Sequence, residues 1–397
     1  MSEIKWCENK MPKTADKNLS IMSIEEVKKA KAFHESFPQY SNTPLVELKE
    51  MSKYLGLGII KVKDESYRFG LNAFKVLGGS YSMAKYIAQK MGKDVSEFPY
   101  NVLVSKELKD EFGQATFFSA TDGNHGRGVA WAANKLGQKC VIFMPKGTTE
   151  IRLKNIQAEG ATVTIEECNY DECVRMAADA ASKIKNGVVV QDTAWEGYEE
   201  IPAWIMQGYG TMALESDEQF GEKPTHIFVQ AGVGSLAGAI VGYFSNKYKD
   251  NPPVMVVVEA SSAACLYKGA VAGDGNIRIV DGDLNTIMAG LACGEPNITS
   301  WDILKNHVNC FIAAEDIVAA RGMRMLSAPL KGDNQVISGE SGAAPFGALT
   351  TIMLEEEYSE LRKKLKLNSD SKVLLFSTEG DTDPYRWKNI VWEAKDR

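Results

Sequence analysis

A carboxylate in the middle of a glycine-rich turn is the first chemical signal in this chain. Residues 119–128 read S-A-T-D-G-N-H-G-R-G, so Asp122 lies among small residues that favour a tight turn. A second carboxylate, Asp192, directly follows the apolar run 187–191. Carboxylates in such turns can bind a cation or transfer a proton. The structural alternatives are a turn-forming Asx residue for Asp122 and a helix N-cap for Asp192.

A lysine in apolar surroundings is the second signal. Lys75 lies in N-A-F-K-V-L-G-G, residues 72–79, near a predicted helix start. Desolvation makes a lysine amine easier to deprotonate and turns it into a nucleophile toward carbonyl groups. Most lysines are solvated surface charges, so this signal gains weight only in combination with others.

A glycine-rich loop, Q-A-G-V-G-S-L-A-G at 230–238, is the third signal. It follows an apolar run and opens a predicted helix, so its N–H groups and the helix dipole predict a phosphate site. No Gly-Lys-Ser/Thr follows, and Gly238 comes one place too late for the dinucleotide fingerprint. Close helix–sheet packing of small residues is the alternative interpretation.

Alternating strands and helices are predicted to position these residues. Val129, Ala132, Ala133 and Leu136 have the spacing of one helix face after the glycine turn. Short apolar runs predict strands at 59–63, 114–120, 139–145, 161–165, 187–191, 226–232, 253–260 and 372–376. Such alternation predicts parallel sheets, in which ligands bind beyond the carboxyl ends of the strands. The charged segment 92–113 has no clear period and is predicted to be a surface insertion.

Composition excludes several classes of function. The chain has 397 residues and a formal net charge of -7, which argues against nucleic-acid or membrane-surface partners. Its seven cysteines are scattered and form no C-x-x-C, so neither a zinc site nor a disulfide framework is expected. No stretch reaches the roughly 18–20 apolar residues of a membrane span. With no signal peptide pattern at the start, the expectation is a soluble cytoplasmic protein.

Together these motifs resemble the fold-type II pyridoxal-phosphate enzymes, which include threonine and serine dehydratases and tryptophan synthase β. The resemblance begins at N-T-P-L-V, residues 42–46, and continues to about residue 383. It implies pyridoxal 5'-phosphate as cofactor and two doubly wound, mostly parallel α/β domains with the cofactor in the cleft between them. The expected divisions are a large cofactor domain from 1–84 and 195–397 and a smaller domain from 85–194.

The resemblance also implies roles for individual residues. Lys75 of the Phe-Lys pair forms the Schiff base with the cofactor, and Asn124 binds the cofactor's 3-hydroxyl. Ser377 bonds the pyridine nitrogen, with its neighbour Thr378 left open. The phosphate is bound by the loop residues Gly232, Val233, Gly234, Ser235 and Leu236. The substrate is bound by Ser119, Thr121, Asp122, Gly123 and Asp192.

One branch of the family is indicated by longer strings. The dehydratase turn resembles S-x-G-N-H, whereas this chain has Asp122 inserted before Gly123. Together with V-Q-D-T-A-W-E-G-Y at 190–198, this turn resembles the ammonia-lyases that act on 2,3-diaminopropionate. The implied reaction is α,β-elimination from both the L and D isomers to pyruvate and two ammonia. A serine or threonine dehydratase of the same fold is the alternative.

The carboxylates of Asp122 and Asp192 suit a substrate with an amine leaving group, because an amine leaves well only when it is protonated. We assign Lys75 as the base for the L isomer, Asp122 as the base for the D isomer, and Asp192 as the binder of the distal ammonium. A non-catalytic binding module would be expected to lose the lysine or the phosphate loop, and both are present. The resemblance further implies a homodimer, and no metal site is predicted.

Overall fold

The structure is a computed structural model that describes residues 3–121 and 123–395. Within these residues the strands are, in chain order, β1 Ile4–Glu8, β2 Leu45–Glu47, β3 Ile59–Asp64, β4 Thr116–Ala120, β5 Lys139–Met144, β6 Thr162–Ile165, β7 Gly187–Val189, β8 His226–Gln230, β9 Val254–Ala260, β10 Cys310–Ala314 and β11 Lys372–Ser377. The α-helices are α1 Ile24–Glu35, α2 Lys49–Leu55, α3 Val76–Lys90, α4 Tyr100–Leu103, α5 Lys106–Phe112, α6 Asn124–Lys135, α7 Glu150–Ala158, α8 Tyr170–Ser182, α9 Glu200–Phe220, α10 Ser235–Lys247, α11 Cys265–Ala272, α12 Ile298–His307, α13 Asp316–Ser327, α14 Glu340–Leu354, α15 Ser359–Leu365 and α16 Pro384–Val391. Short 3₁₀ turns lie at Leu19–Met22, Glu65–Gly70, Val95–Glu97, Ser261–Ala263, Ala289–Leu291 and Glu356–Tyr358.

The larger sheet has seven strands in the order β1-β10-β9-β8-β11-β3-β2. The inner strands run parallel, while β1 and β2 pair antiparallel with β10 and β3 at the two edges. Strands β8 and β10 are buried at every residue, as expected for parallel strands that are covered on both faces. Side chains of α13 and α14 pack with alternate strand residues, such as Val256, Val258 and Ile312, in one hydrophobic core.

The smaller sheet has four parallel strands in the order β6-β5-β4-β7. The inner strand β4, T-F-F-S-A, is buried throughout, and the turn that leads into α6 follows its carboxyl end. Strand β7 pairs with β4, so Asp192 leaves the sheet at the same edge as that turn. These two sheets confirm the predicted α/β class with mostly parallel strands.

Most predicted elements are present with small shifts in their ends, but some were missed. The segment 92–113, predicted to be a surface insertion, contains the short helices α4 and α5. The strands β1, β2 and β10 were not predicted. Two of these are edge strands of three and five residues, whose pairing partners are set by the tertiary fold. Within the described residues no helix is both long and apolar enough to cross a membrane.

The chain divides into two compact units. The larger unit contains Met1–Ile24, Asn42–Asn72 and Met212–Arg397, and the smaller unit contains Glu25–Ser41 and Ala73–Thr211. These bounds differ from the expected domain limits, because the segment with Lys75 belongs to the smaller unit. The physical reason is that α3 packs closely on α6, the helix that follows the glycine turn.

A buried ion network lies inside the larger unit. Arg68 donates to Glu65 and to Glu215 at 2.7–2.9 Å, and Lys63 donates to Glu215 at 2.7 Å. All four side chains are at most 1% exposed. Burial disfavours the charged form of Glu215, but Arg68 and then Lys63 outweigh it and lower its pKa to about 2. Two cations and two anions therefore compensate one another away from water.

We expect Glu215→Ala to lower the free energy of unfolding by about 3–5 kcal/mol, because Arg68 would keep a buried charge with half its partners removed. Urea denaturation followed by circular dichroism measures this change. The matched control is Glu150→Ala, whose exposed partner Lys154 lies 2.8 Å away on the surface of α7. That control should leave the urea midpoint unchanged. A Glu215→Ala midpoint equal to that of the control would contradict a stabilising network.

Candidate active site

Lys75 and Asp192 form an ion pair in the smaller unit. Lys75 immediately precedes α3, and its Nζ donates to Oδ2 of Asp192 in a short charge-assisted hydrogen bond. The two side chains are 22% and 10% exposed. Nδ1 of His125 lies 3.8 Å from the same carboxylate oxygen. The structure thus brings the predicted nucleophile and one predicted acid into direct contact.

The ionisation of Asp192 follows from these neighbours. Burial alone would disfavour the charged carboxylate, but the attraction of Lys75, and after it of His125, lowers its pKa to about 2. Asp192 is therefore an anion throughout the neutral range. A carboxylate with such a low pKa is a poor proton acceptor, which favours binding of a cation over general base catalysis.

The turn after β4 is held by the hydroxyl of Thr121. Its Oγ1 accepts from the backbone N–H groups of Gly123 at 3.0 Å and Gly126 at 3.2 Å. A Cβ atom at position 126 would lie 2.1 Å from Cγ2 of Thr121, so this turn requires glycine there. Asn124 is the first residue of α6. Asp122, predicted as the base for the D isomer, lies outside the described residues.

Gln191 fixes the strand end before this turn, and sequence reasoning missed it. Its Oε1 accepts from the hydroxyl of Ser119 at 3.1 Å and from the N–H of Ala120 at 3.2 Å. Its Nε2 donates to the carbonyl of Ala120 at 3.0 Å and to the hydroxyl of Tyr170. The structure therefore directs the hydroxyl of Ser119, a predicted substrate ligand, toward Gln191. A glutamine adjoining Asp192 at a strand end was the available signal.

Gly128 allows the backbone at Lys75 to approach α6. A Cβ atom at position 128 would lie 2.7 Å from the N atom of Val76 and 3.1 Å from the carbonyl carbon of Lys75. Because these are backbone atoms, the clash cannot be relieved by turning a side chain. The glycine thus sets the position of the residue that is predicted to hold the cofactor.

We expect Gly128→Ala to destabilise the protein by about 1–3 kcal/mol and to reduce turnover, because overpacking would displace Lys75. Thermal unfolding and steady-state rates measure the two effects. Gly79→Ala on the facing helix is the matched control, since its Cβ would meet Val129 at an ordinary 3.4 Å. Equal losses in both variants would show that Gly128 has no special place beside Lys75.

The predicted phosphate loop lies in the larger unit, between β8 and α10. Gly234 has a φ of 103°, which favours glycine, and a Cβ there would lie 2.8 Å from Oγ of Ser300. The side chain of Asn297 donates to the hydroxyl of Ser235 at 2.8 Å, and its backbone N–H donates to Val233 at 2.8 Å. Gly232, Val233, Gly234, Ser235 and Leu236 therefore form a braced turn at the N-terminus of a 13-residue helix.

Two hydroxyls lie at the carboxyl end of β11 in the same unit. Ser377 is the last residue of the strand, and its Oγ donates to Oγ of Ser338 at 2.8 Å. Oγ1 of the next residue, Thr378, accepts from Nε2 of Gln230 at 2.7 Å. Both residues are buried. Both hydroxyls remain candidates for the bond to a ring nitrogen, but Ser377 could donate to it only in place of its bond to Ser338.

We expect Ser377→Ala to weaken cofactor binding by about tenfold, the value of one lost hydrogen bond of about 1.4 kcal/mol. Thr378→Val, which keeps the shape of the neighbouring side chain, should have the smaller effect. Titration of the apoenzyme with pyridoxal phosphate measures both dissociation constants. If Thr378→Val has the larger effect, the contact to the pyridine nitrogen belongs to Thr378 instead.

Tyr209 is a second residue that the sequence did not identify. Its ring packs against Phe74, with the centroids 4.7 Å apart, and its hydroxyl has no hydrogen-bond partner among the residues that the structure describes. Burial raises the pKa of Tyr209 above the usual range. The charge of Lys75 lowers this pKa and the charge of Asp192 raises it, both by smaller amounts. A buried neutral hydroxyl therefore lies within electrostatic range of the Lys75–Asp192 pair.

The predicted site residues are thus distributed over both units. The smaller unit holds Lys75, Asp192 and the turn at 119–126, and the larger unit holds the loop 232–236 and Ser377. Across residues 3–121 and 123–395, no group of three or more His, Cys, Asp or Glu side chains is arranged to hold a metal ion.

Comparison with known proteins gives the family. Residues 37–379 match the family described as pyridoxal-phosphate dependent enzyme. The chain is 50% identical over 369 residues to a diaminopropionate ammonia-lyase from Salmonella typhimurium, covering 92% of this chain and 91% of that protein. A crystal structure of diaminopropionate ammonia lyase from Escherichia coli in complex with D-serine has a TM-score of 0.90 and 42% identity, covering 99% of this chain and 98% of that one. A second structure of the Escherichia coli protein, with an aminoacrylate-PLP azomethine reaction intermediate, has a TM-score of 0.89 and 42% identity, covering 100% and 98% of the two chains.

These matches confirm the resemblance that the sequence motifs predicted, including the cofactor. They also favour the ammonia-lyase branch over the dehydratases, since the identity extends over more than nine-tenths of the Salmonella protein. The chain therefore belongs to the pyridoxal-phosphate-dependent enzymes and, within them, to the diaminopropionate ammonia-lyases.

Proposed function

We propose that this enzyme converts both the L and D isomers of 2,3-diaminopropionate to pyruvate and two ammonia. The observation that carries the proposal is the largely buried Asp192 paired with the half-buried Lys75. It shows a carboxylate that stays ionised at neutral pH and binds an alkyl ammonium, that of Lys75. A substrate with a second amine needs such an anion, whereas a hydroxy amino acid does not.

The residues present fit pyridoxal phosphate. The loop 232–236 leaves no room for a Cβ at Gly234 and opens a 13-residue helix, which are the features of a phosphate site. Ser377 supplies a neutral hydroxyl for the pyridine nitrogen, and Asn124 supplies an amide for the 3-hydroxyl. Lys75 would carry the covalent attachment. When bound, the cofactor supplies an electron sink that makes the Cα–H bond of an amino acid acidic.

Lys75 and Asp192 have separate roles in the proposed reaction. We assign Nζ of Lys75 to remove the Cα proton from the L isomer. In the structure Asp192 already binds one alkyl ammonium, that of Lys75. The same carboxylate can bind the distal ammonium of the substrate while Lys75 is engaged with the cofactor. Holding that group as an ammonium keeps it ready to leave as ammonia.

The turn after β4 supplies the other half of the substrate site. Thr121 and Gly123 are proposed to bind the substrate carboxylate, with Ser119 supporting the turn through Gln191. Asp122 is proposed as the base that removes the Cα proton from the D isomer. The complex of the Escherichia coli protein with D-serine supports a site that accepts a D amino acid. Two further proposals follow from the sequence alone, a cytoplasmic location and a homodimer.

The experiment that tests this function is pyruvate release from L- and D-diaminopropionate, with L- and D-serine as neutral comparators. We expect turnover of both diaminopropionate isomers and much slower turnover of serine. Turnover of the L isomer alone would remove the role proposed for Asp122. A preference for serine would show that this chain is a dehydratase in spite of its relatives.

A further inference from the structure

Two cysteines meet at the N-terminus of α8, in the smaller unit. Cys168 lies just before the N-cap residue Asn169, and Cys173 is the fourth residue of the helix. Their Sγ atoms are 3.5 Å apart. Cys173 is fully buried and Cys168 is half-buried, so Cys168 is the more accessible residue of the pair.

The backbone around the pair is fixed by a capping box. The side chain of Asn169 accepts from the N–H of Glu172 at 2.9 Å, and Glu172 accepts from the N–H of Asn169 at 3.1 Å. The residues before the N-cap and at the fourth helical position normally form an apolar contact in this motif. Here both positions carry thiols, so the capping box brings two sulfurs into contact. The N–H of Lys146, which follows β5, also donates to the carbonyl of Cys168 at 3.0 Å.

Any two apolar side chains could make this contact at the start of α8. Two thiols at the same positions can also be oxidised to a disulfide. The sulfurs must approach by about 1.5 Å to reach the bond length of about 2.05 Å in a disulfide. We propose that Cys168 and Cys173 form a dithiol site that hydrogen peroxide oxidises to a disulfide, and that closing this disulfide disturbs the turn after β4.

The oxidation balances as two steps. The thiolate sulfur of Cys168 attacks a peroxide oxygen, the O–O bond breaks, and a sulfenic acid and hydroxide form. The sulfur of Cys173 then attacks the sulfenic sulfur, the S–S bond forms, and water leaves with the thiol proton. Overall two thiols are oxidised and one peroxide is reduced to two waters. Cys168 acts first because it is half-buried, whereas Cys173 is buried and its pKa is raised by burial and by the contact with Cys168.

The first turn of α8 is connected to the candidate active site. Tyr170, the first residue of the helix, accepts a hydrogen bond from Nε2 of Gln191 through its hydroxyl. The side-chain amide of Gln191 also bonds the backbone of Ala120, the last residue before the turn after β4. Gln191 is itself the neighbour of Asp192 in the chain. A shift of the helix start by the distance needed for a disulfide would therefore reach the residues that position the turn.

The test treats the reduced holoenzyme with hydrogen peroxide, alkylates it with N-ethylmaleimide and maps the peptides by mass spectrometry. We expect a peptide containing residues 168–173 that has lost two hydrogens and escapes alkylation, with recovery after dithiothreitol. We also expect a reversible drop in the rate of pyruvate release of about threefold or more, since small displacements at a reacting site are costly. Cys168→Ser should abolish both changes. The matched control Cys7→Ser removes another half-buried thiol and should retain both.

Two results would overturn the proposal. If Cys168 reacts only to sulfinic acid while Cys173 remains alkylatable after unfolding, the pair is an apolar contact and not a redox site. If the disulfide forms but the rate of pyruvate release is unchanged, the connection through Gln191 is wrong. The mass measurement does not depend on the proposed reaction, so a failure of the assigned substrate would leave the test of the dithiol intact.

Discussion

Replacement of Lys75 by alanine is expected to lower the rate of pyruvate release from L-diaminopropionate by at least about 10³-fold. The variant loses both the covalent attachment of the cofactor and the group that removes the Cα proton, and positioned proton transfer alone contributes 10²–10⁴-fold. Borohydride reduction followed by peptide mapping provides a second readout. In the wild type the reduced cofactor should be found on Lys75, and in the variant on no peptide.

Lys85→Ala is the matched control for this prediction. Lys85 lies on the same helix, α3, and its Nζ is 3.6 Å from a carboxylate oxygen of Glu26. Its removal should leave both the cofactor label and the rate within about twofold of the wild type. A Lys75→Ala variant that retains a tenth of the wild-type rate would show that another residue holds the cofactor.

Asp192→Asn is expected to lower kcat/KM for diaminopropionate by about 10²-fold, because the amide cannot neutralise a distal ammonium in a buried site. The estimate corresponds to about 3 kcal/mol, within the range for removing one partner of a buried charge pair. Serine, which has a neutral hydroxyl at the same position, is the comparator substrate. Its kcat/KM should change far less, so the preference for diaminopropionate over serine should narrow. An equal loss on both substrates would assign Asp192 to the positioning of Lys75 instead.

The pH dependence gives an independent check on Asp192. Its pKa of about 2 lies below the ordinary value of a free aspartate, so pairing with Lys75 stabilises the folded state above about pH 4. This contribution is lost as the pH falls from about 4 through 2. In the working enzyme the distal ammonium of the substrate takes the place of the Lys75 ammonium beside Asp192. The profile of kcat between pH 6 and 9 should therefore contain no ionisation that disappears in Asp192→Asn. An ionisation near neutral pH that does disappear would contradict the assignment of Asp192 as a permanent anion.

Much of the fold was predictable because its signals are local. The buried parallel strands and the helices between them follow from apolar runs of the right length, and the loop at 232–236 follows from its glycines. The edge strand β1 was not predictable, since it pairs with β10 some 300 residues later in the chain and carries no strong pattern of its own.

The candidate site was predictable in its residue types but not in its contacts. Lys75 and Asp192 are 117 residues apart, and no spacing rule indicates that their side chains meet. Gln191 was missed for the same reason, because its role comes from the pairing of β7 with β4. Tyr209 lies on a long, largely apolar helix, and nothing in the sequence indicates that its hydroxyl would lack a partner among the described residues.

The two antiparallel strands at the ends of the larger sheet also bear on how copies of this chain can associate. A sheet edge with free N–H and C=O groups invites another strand to add to it, which leads to open-ended aggregation. Here β2 is three residues long, and β1 exposes the charged side chains of Lys5 and Glu8. Both edges thus discourage strand addition. We therefore expect any association between copies of this chain to use helices and loops, and the larger sheet to remain seven strands wide.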